Sequence, residues 1–223
     1  MNILDNIISP NNLVFDVGCN TGGKAQEFLN RNCKVVGFEP QPKCIDQLRK
    51  KFKDDPNIVI EPIGLDYYEG QSYIYTVNNE AITSINSMSL DFINTTQLER
   101  FKEFQWNGKT EILVSTLDKM ITKHGTPAYI KIDVEGYELN VLRGLTSKID
   151  VISLEFTPEL CKNSIKCIEY LEELNGLCKF NYGYREDNDF KFSWMSKDEI
   201  IKYLESVNDF KYEFGDIYIR SIK

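Results

Sequence analysis

The sequence predicts a doubly wound α/β fold, a mostly parallel sheet covered by helices on both faces. Three observations carry this. The apolar runs are short and separated by amphipathic stretches, three strand-helix units follow one another from residue 13, and the first strand enters a glycine-rich turn. In such sheets ligands bind at the carboxyl ends of the strands. With 223 residues, 42% of them hydrophobic, one compact domain spanning 1–223 is expected, burying roughly 70–75% of its unfolded surface.

In chain order, "LVFDVG" (13–18) is the first strand and "GKAQEFLNRN" (23–32) its helix. "KVVGFEP" (34–40) is the second strand, followed by the helix "PKCIDQLRKKF" (42–52), with Ile45, Leu48 and Phe52 on one face. "IVIEPIGL" (58–65) reads as the third strand. The alternation then breaks. Residues 66–117 form an insertion, with strands at 72–77 and 111–117 flanking a polar stretch in which 97–106 reads as a short amphipathic helix. An insertion of this length in a tight fold is read here as a lid. The core pattern resumes with strand four, "AYIKIDVEG" (128–136), the helix "YELNVLRGL" (137–145) and strand five, "VISLEF" (151–156). A helix over 164–176 ends at Gly176 in a left-handed cap. "FNYGYR" (180–185) and a hairpin partner follow, and "SKDE" (196–199) opens a last helix with a capping box. "DIYIRSI" (216–222) is a final strand suited to an edge or antiparallel position.

Composition excludes several classes. The net charge of -8 repels phosphate backbones and no basic cluster offsets it, so no nucleic-acid partner is expected. No stretch of about 18 apolar residues exists to span a membrane, and the first residues lack a signal-peptide pattern, so a cytoplasmic protein is expected. Six cysteines without a C-x-x-C pair read as reduced, packed thiols. His124, the lone histidine, reads as a turn residue, which nearly excludes histidine-based triads and metal sites.

The turn "VFDVGCNTGGK" places Asp16 at the end of strand one, then Gly18, Asn20, Gly22 and Gly23. Glycines there let backbone approach a ligand, and the helix start offers free N–H donors. Glu39 ends strand two, where a carboxylate can accept both hydroxyls of a ribose. Turn and acid together indicate an adenosine cofactor. Asn20 occupies the second glycine position of the dinucleotide fingerprint, and Asp16 would repel a pyrophosphate. That charge suits the ammonium of S-adenosyl-L-methionine. A nucleotide-binding module without catalysis and an NAD-dependent oxidoreductase are the readings from other classes.

The stretch "IKIDVEGYELNVLRGL" (130–145) sets Lys131, Asp133, Glu135 and Glu138 at the lip of the core, where an unpaired charge costs several kcal/mol. "FDVGCNTG", "VVGFEPQP", this stretch and "VISLEF", in that order over about residues 13–156, resemble the FkbM family of S-adenosylmethionine-dependent methyltransferases. The resemblance implies the Rossmann-like methyltransferase fold, a seven-stranded sheet with one antiparallel strand near the C-terminal end. It also implies O-methylation, often of sugar hydroxyls, with non-sugar metabolites, lipids or peptides as the alternative acceptors. Carried over by position, Asp16, Gly18, Asn20 and Gly22 would hold the methionine part of the cofactor and Glu39 its ribose. Residues 62–66, Ile63 among them, would border the adenine.

Methyl transfer to an alcohol needs an acceptor held in line and a route for its proton. Lys131 and Asp133 project to the same face of an extended strand. Asp133, Glu135 and Glu155 are therefore expected around the acceptor hydroxyl, with Asp133 the base and Lys131 its ion-pair partner. Asp133 and Glu155 can instead be read as oxygen ligands of a divalent magnesium or manganese ion. Glu138 reads as helix-dipole electrostatics. Tyr67, Tyr68, Trp106, Tyr182, Tyr184 and Trp194 are candidates for stacking on a sugar ring.

Overall fold

The computed structural model describes residues 3–79, 81–98, 100–184, 189–207 and 215–222. β1 (Leu13–Val17) runs into α1 (Gly23–Leu29), and β2 (Lys34–Phe38) into α2 (Pro42–Lys51), where Pro42 takes a first-turn position that needs no N–H. β3 (Ile58–Glu61) and the short β4 (Gly64–Leu65) precede β5 (Gly70–Thr76), α3 (Leu90–Thr96), β6 (Gly108–Ser115) and α4 (Leu117–His124). β7 (Tyr129–Ile132), α5 (Glu138–Arg143), β8 (Val151–Phe156) and α6 (Cys161–Asn175) continue the core. β9 (Cys178–Tyr184), α7 (Lys197–Ser206) and β10 (Gly215–Ser221) end it.

The main sheet has seven strands in the order β3-β2-β1-β7-β8-β10-β9, and β10 runs antiparallel to both its neighbours. This is the Rossmann-like methyltransferase architecture. Side chains alternate between two apolar layers: Phe15, Val17, Ile130 and Ile132 face one, while Val14 and Tyr129 face the other with Phe28 and Leu48. The strand order reverses where β1 pairs with β2 on one side and β7 on the other. The crevice that opens there, beyond the carboxyl ends, is the place for a ligand. Gly176 ends α6 at a φ of 83°, and Ser196 with Glu199 forms the expected capping box.

Four expectations are corrected. The run 58–65 is two strands, because Pro62 has no N–H for the ladder and β4 leaves to pair with β6 in a second, three-stranded sheet of order β4-β6-β5. The helix of the insertion is α3, upstream of 97–106. Ser89 accepts the Phe92 N–H as its cap and Phe92 and Ile93 are buried, whereas Leu98, on the expected helix, is 79% exposed. Residues 117–124 form a helix capped by Thr116, and His124 is its last residue, 2.7 Å from a Glu61 carboxylate oxygen. Strand four stops at Ile132, so Asp133 to Gly136 form a turn. Of the run 180–185, Arg185 lies outside the described residues. Among the described residues no helix is long and apolar enough to cross a membrane, and all six cysteines are free.

Candidate active site

The glycine turn is built by the closeness of two strand ends. Gly18 has a φ of 81°, and a Cβ there would lie 1.8 Å from the Asp133 carbonyl oxygen, so only glycine fits. Gly18 and Cys19 both donate their N–H groups to the Phe38 carbonyl at 3.0 Å, which ties the turn to the end of β2. Gly22 has a different reason to be glycine: its φ is 75° and a Cβ would meet the Phe52 ring at 2.5 Å. It packs against α2 and is not in the cleft wall.

Glu39 is 2% exposed; its carboxylate accepts the N–H of Asn20 at 2.9 Å and of Gln41 at 2.8 Å. Burial outweighs these donors and pushes its carboxyl up to about 7. Asp16 is fully enclosed beside Lys131 on the neighbouring strand, and burial raises its carboxyl despite that ammonium. Its Oδ2 has no hydrogen-bond partner among the described residues.

A cleft with about 720 Å³ of space, its open mouth included, lies over these groups, lined by Gly18, Asn20, Glu39, Ile63 and Asp133. The insertion supplies the opposite wall through Thr83, Asn86 and Met88. Thr83 donates its hydroxyl to the Asn20 side chain at 3.0 Å, and Asn86 donates its amide to the Gln41 side chain at 2.6 Å. The sequence reading missed Gln41, Thr83 and Asn86, because polar side chains in an irregular loop carry no periodic signal.

The charged stretch forms one end of this cleft. Lys131, 4% exposed, lies 2.6 Å from Asp133 Oδ2. Burial disfavours its charge, but Asp133, Asp216 and Asp16 outweigh it and keep it protonated. Asp133, Glu135 and Glu155 bring carboxylate oxygens within 4.8 Å of one another. Glu135 sits at a φ of 52°, rare for a residue with a Cβ, and its carbonyl accepts the Ser87 hydroxyl at 2.6 Å.

Glu138 departs from the helix-dipole expectation. It is 5% exposed, folds back to accept the Gly136 N–H at 3.1 Å and the Val134 N–H at 3.3 Å, and burial pushes its carboxyl up to about 7. It braces the turn from beneath. The aromatic candidates for sugar stacking do not meet at the cleft. Tyr182 is core, Tyr184 and Trp194 pack near the C-terminal strands, Trp106 donates to the Ile85 carbonyl, and Tyr67 and Tyr68 meet edge-on in the open. Tyr137, which was not among them, does line the cleft and donates to Asp66 at 2.9 Å.

No curated protein matches the sequence. Three similar solved structures are a precorrin-6y C5,15-methyltransferase from Geobacter metallireducens, a rRNA methylase from Streptococcus thermophilus and fibrillarin from Aeropyrum pernix in complex with S-adenosyl-L-methionine. The first is 11% identical with a TM-score of 0.49, over 97% of this chain and 85% of that one. The second is 8% identical with a TM-score of 0.47, over 99% and 92%. The third is 9% identical with a TM-score of 0.48, over 96% and 68%. The model of the methyltransferase FkbM domain matches residues 16–214, and with that match the chain belongs to the FkbM family of S-adenosylmethionine-dependent methyltransferases.

Proposed function

We propose that this enzyme methylates a hydroxyl group of a sugar or glycan. The observation that carries the reading is the Lys131 and Asp133 pair at the end of the cleft, with Glu135 and Glu155 gathered beside it. A carboxylate held there by a buried ammonium is placed to take the proton of an alcohol.

The residues present fit the cofactor. Glu39, a buried carboxylate inside the cleft, suits a pair of ribose hydroxyls; Asp16, with its unpartnered Oδ2, is buried outside the cleft lining, so its carboxyl can favour an ammonium only from behind that lining. Gly18 and Asn20 offer backbone beside it, Ile63 an apolar wall for the base, and Gly22 sets the turn. When bound, the sulfonium would supply an activated methyl carbon to the hydroxyl oxygen, the C–S bond being exchanged for a C–O bond with S-adenosylhomocysteine as the leaving group. Asp133 takes the hydroxyl proton, Lys131 holds Asp133 in place, and Glu135 and Glu155 orient the acceptor. The insertion acts as a lid, since its loop already closes one wall through Thr83, Asn86 and Ser87.

The test is a mass-spectrometric screen of glycans for methyl gain from labelled donor, run beside Asp133→Ala. The variant should lose nearly all turnover while binding S-adenosylhomocysteine within a few-fold of the parent; normal turnover would refute the base assignment. The same three carboxylates favour a second reading, a divalent ion on Asp133 and Glu155 that lowers the hydroxyl's pKa. Full activity after exhaustive chelation would remove it.

A further inference from the structure

A second opening adjoins the turn that carries Glu135. It has about 690 Å³ of space, its mouth included, between the start of α3 and the first turns of α5 and α6. Met88 and Tyr137 line both openings, and Gly136 in the wall of the second directly follows Glu135 in the first. The two clefts therefore meet at the acidic turn.

The lining of the second cleft is specific in its chemistry. Ser89, Asn140 and Asn163 supply neutral hydrogen-bonding groups, and Leu90, Leu139 and Leu160 supply apolar patches between them. The amides are not locked inward: Asn163 donates to the Gly136 carbonyl and Asn140 accepts from Arg143 at 3.5 Å each, the weak end of hydrogen bonding. Among the described residues that line it there is no lysine or arginine, and the one charged side chain is Asp91. Arg143 reaches the lining amide of Asn140 but does not itself line the cleft.

We propose that this second cleft is the acceptor site and that it takes an uncharged, hydroxyl-rich ring the size of a monosaccharide unit, not a phosphate ester. The proposal rests on the hydroxyl-methylating reading above. Sugar hydroxyls pair with amides and a serine hydroxyl, and the C–H face of a pyranoside lies on leucines. A phosphate would lose its water, find no cation among the lining residues and face Asp91 in a protein of net charge -8.

The experiment measures methyl transfer from labelled donor to a panel of neutral methyl and aryl hexopyranosides and to the matching hexose phosphates. Calorimetry with S-adenosylhomocysteine runs in parallel. The expected result is methylation of neutral glycosides and none of the phosphates. Asn140→Trp, which fills the cleft, should lower kcat/KM by about 100-fold, and Asn163→Ala, which removes one neutral hydrogen bond, should raise acceptor KM by about three- to tenfold. Both variants should bind S-adenosylhomocysteine within about threefold of the parent. Methylation of glycosides that neither variant impairs would overturn this site while leaving the sugar reading standing. Preferred methylation of the phosphates would overturn the assigned charge. No methylation of any sugar by protein that still binds S-adenosylhomocysteine would overturn the sugar reading, and this site with it.

Discussion

Replacing Lys131 by methionine tests the electrostatics of the site most directly. Lys131 is 4% exposed, pairs with Asp133 at 2.6 Å, and is held protonated by Asp133, Asp216 and Asp16 together. Methionine keeps much of the chain length but leaves those carboxylates without their cation. Removing one partner of a buried pair costs about 3–5 kcal/mol. In a chain of this size each kcal/mol moves Tm by about 2–4 °C, so the melting temperature at pH 7 should fall by about 6–20 °C. The sign with pH follows from proton binding. Burial already raises the Asp16 carboxyl and the Lys131 ammonium works against that rise, so without the ammonium it rises further and the folded variant binds more protons than the unfolded one. Its stability therefore rises as pH falls, and the deficit against the parent shrinks toward pH 5. Lys131→Met with Asp133→Asn should recover part of the loss, which measures the coupling between the two. Thermal melts of the parent, the two single variants Lys131→Met and Asp133→Asn, and the double variant from pH 5 to 8 complete the cycle. A Tm within about 2 °C of the parent at pH 7, or a deficit equal at pH 5 and 8, would refute the reasoning.

Glu138→Gln keeps the oxygen that accepts the Gly136 and Val134 amides and removes a buried charge. Since the folded carboxyl lies at about 7, its favourable protonated form is fully present below the ordinary range near 4.5 and is lost as pH rises through 7. The variant should gain up to about 3 kcal/mol over the parent at pH 8.5, shrinking to less than about 1 kcal/mol at pH 5, read from denaturant melts. Binding of S-adenosylhomocysteine should strengthen from pH 5.5 to 7.5 and level off above, because Glu39 must shed a proton held to about 7 before accepting two hydroxyls. Calorimetry across that range should show the slope in the parent and its absence in Glu39→Gln. Gly18→Ala, with its Cβ 1.8 Å from the Asp133 carbonyl, should cost more than about 3 kcal/mol and abolish cofactor binding; a protein that melts and binds like the parent would show that the two strand ends are not held together as described.

What the sequence disclosed followed from periodicity and from fixed local demands. The buried parallel strands read directly because both their faces are apolar, and Gly18 read as a turn from its glycine-rich neighbourhood, for which the structure supplies the reason, since a side chain there would strike the Asp133 carbonyl just beyond β7. The insertion was the poorly legible part. The Asn- and Thr-rich α3 has weak helix propensity and is held by the Ser89 cap and the burial of Phe92, Ile93 and Thr96, which are tertiary effects. At 58–65 the apolar run concealed the break at Pro62, where the signal was present but outweighed by hydrophobicity. In the site, each acid of the 131–155 set was legible as a residue. The Ser87 hydroxyl on the Glu135 carbonyl was not, because those residues are 48 apart in the chain.

That long-range contact explains why charge is concentrated at the edge of the core. A turn holding Glu135 at positive φ and three carboxylates in reach of one another would relax if left to itself, by backbone rotation or by opening to water. Three restraints prevent this: Lys131 fixes Asp133 from the strand, Glu138 fixes the amides of Val134 and Gly136 from beneath, and Ser87 fixes the Glu135 carbonyl from the insertion. Two of the three belong to the core and are present whatever the insertion does. The third depends on a loop that also bonds to Asn20 and Gln41 beside Glu39. On the function proposed above, a loop that opened to admit the cofactor would break the Ser87 contact and release Glu135, and its closure would restore the carboxylate cluster, which ties the site for the acceptor's proton to the covering of the cofactor cleft.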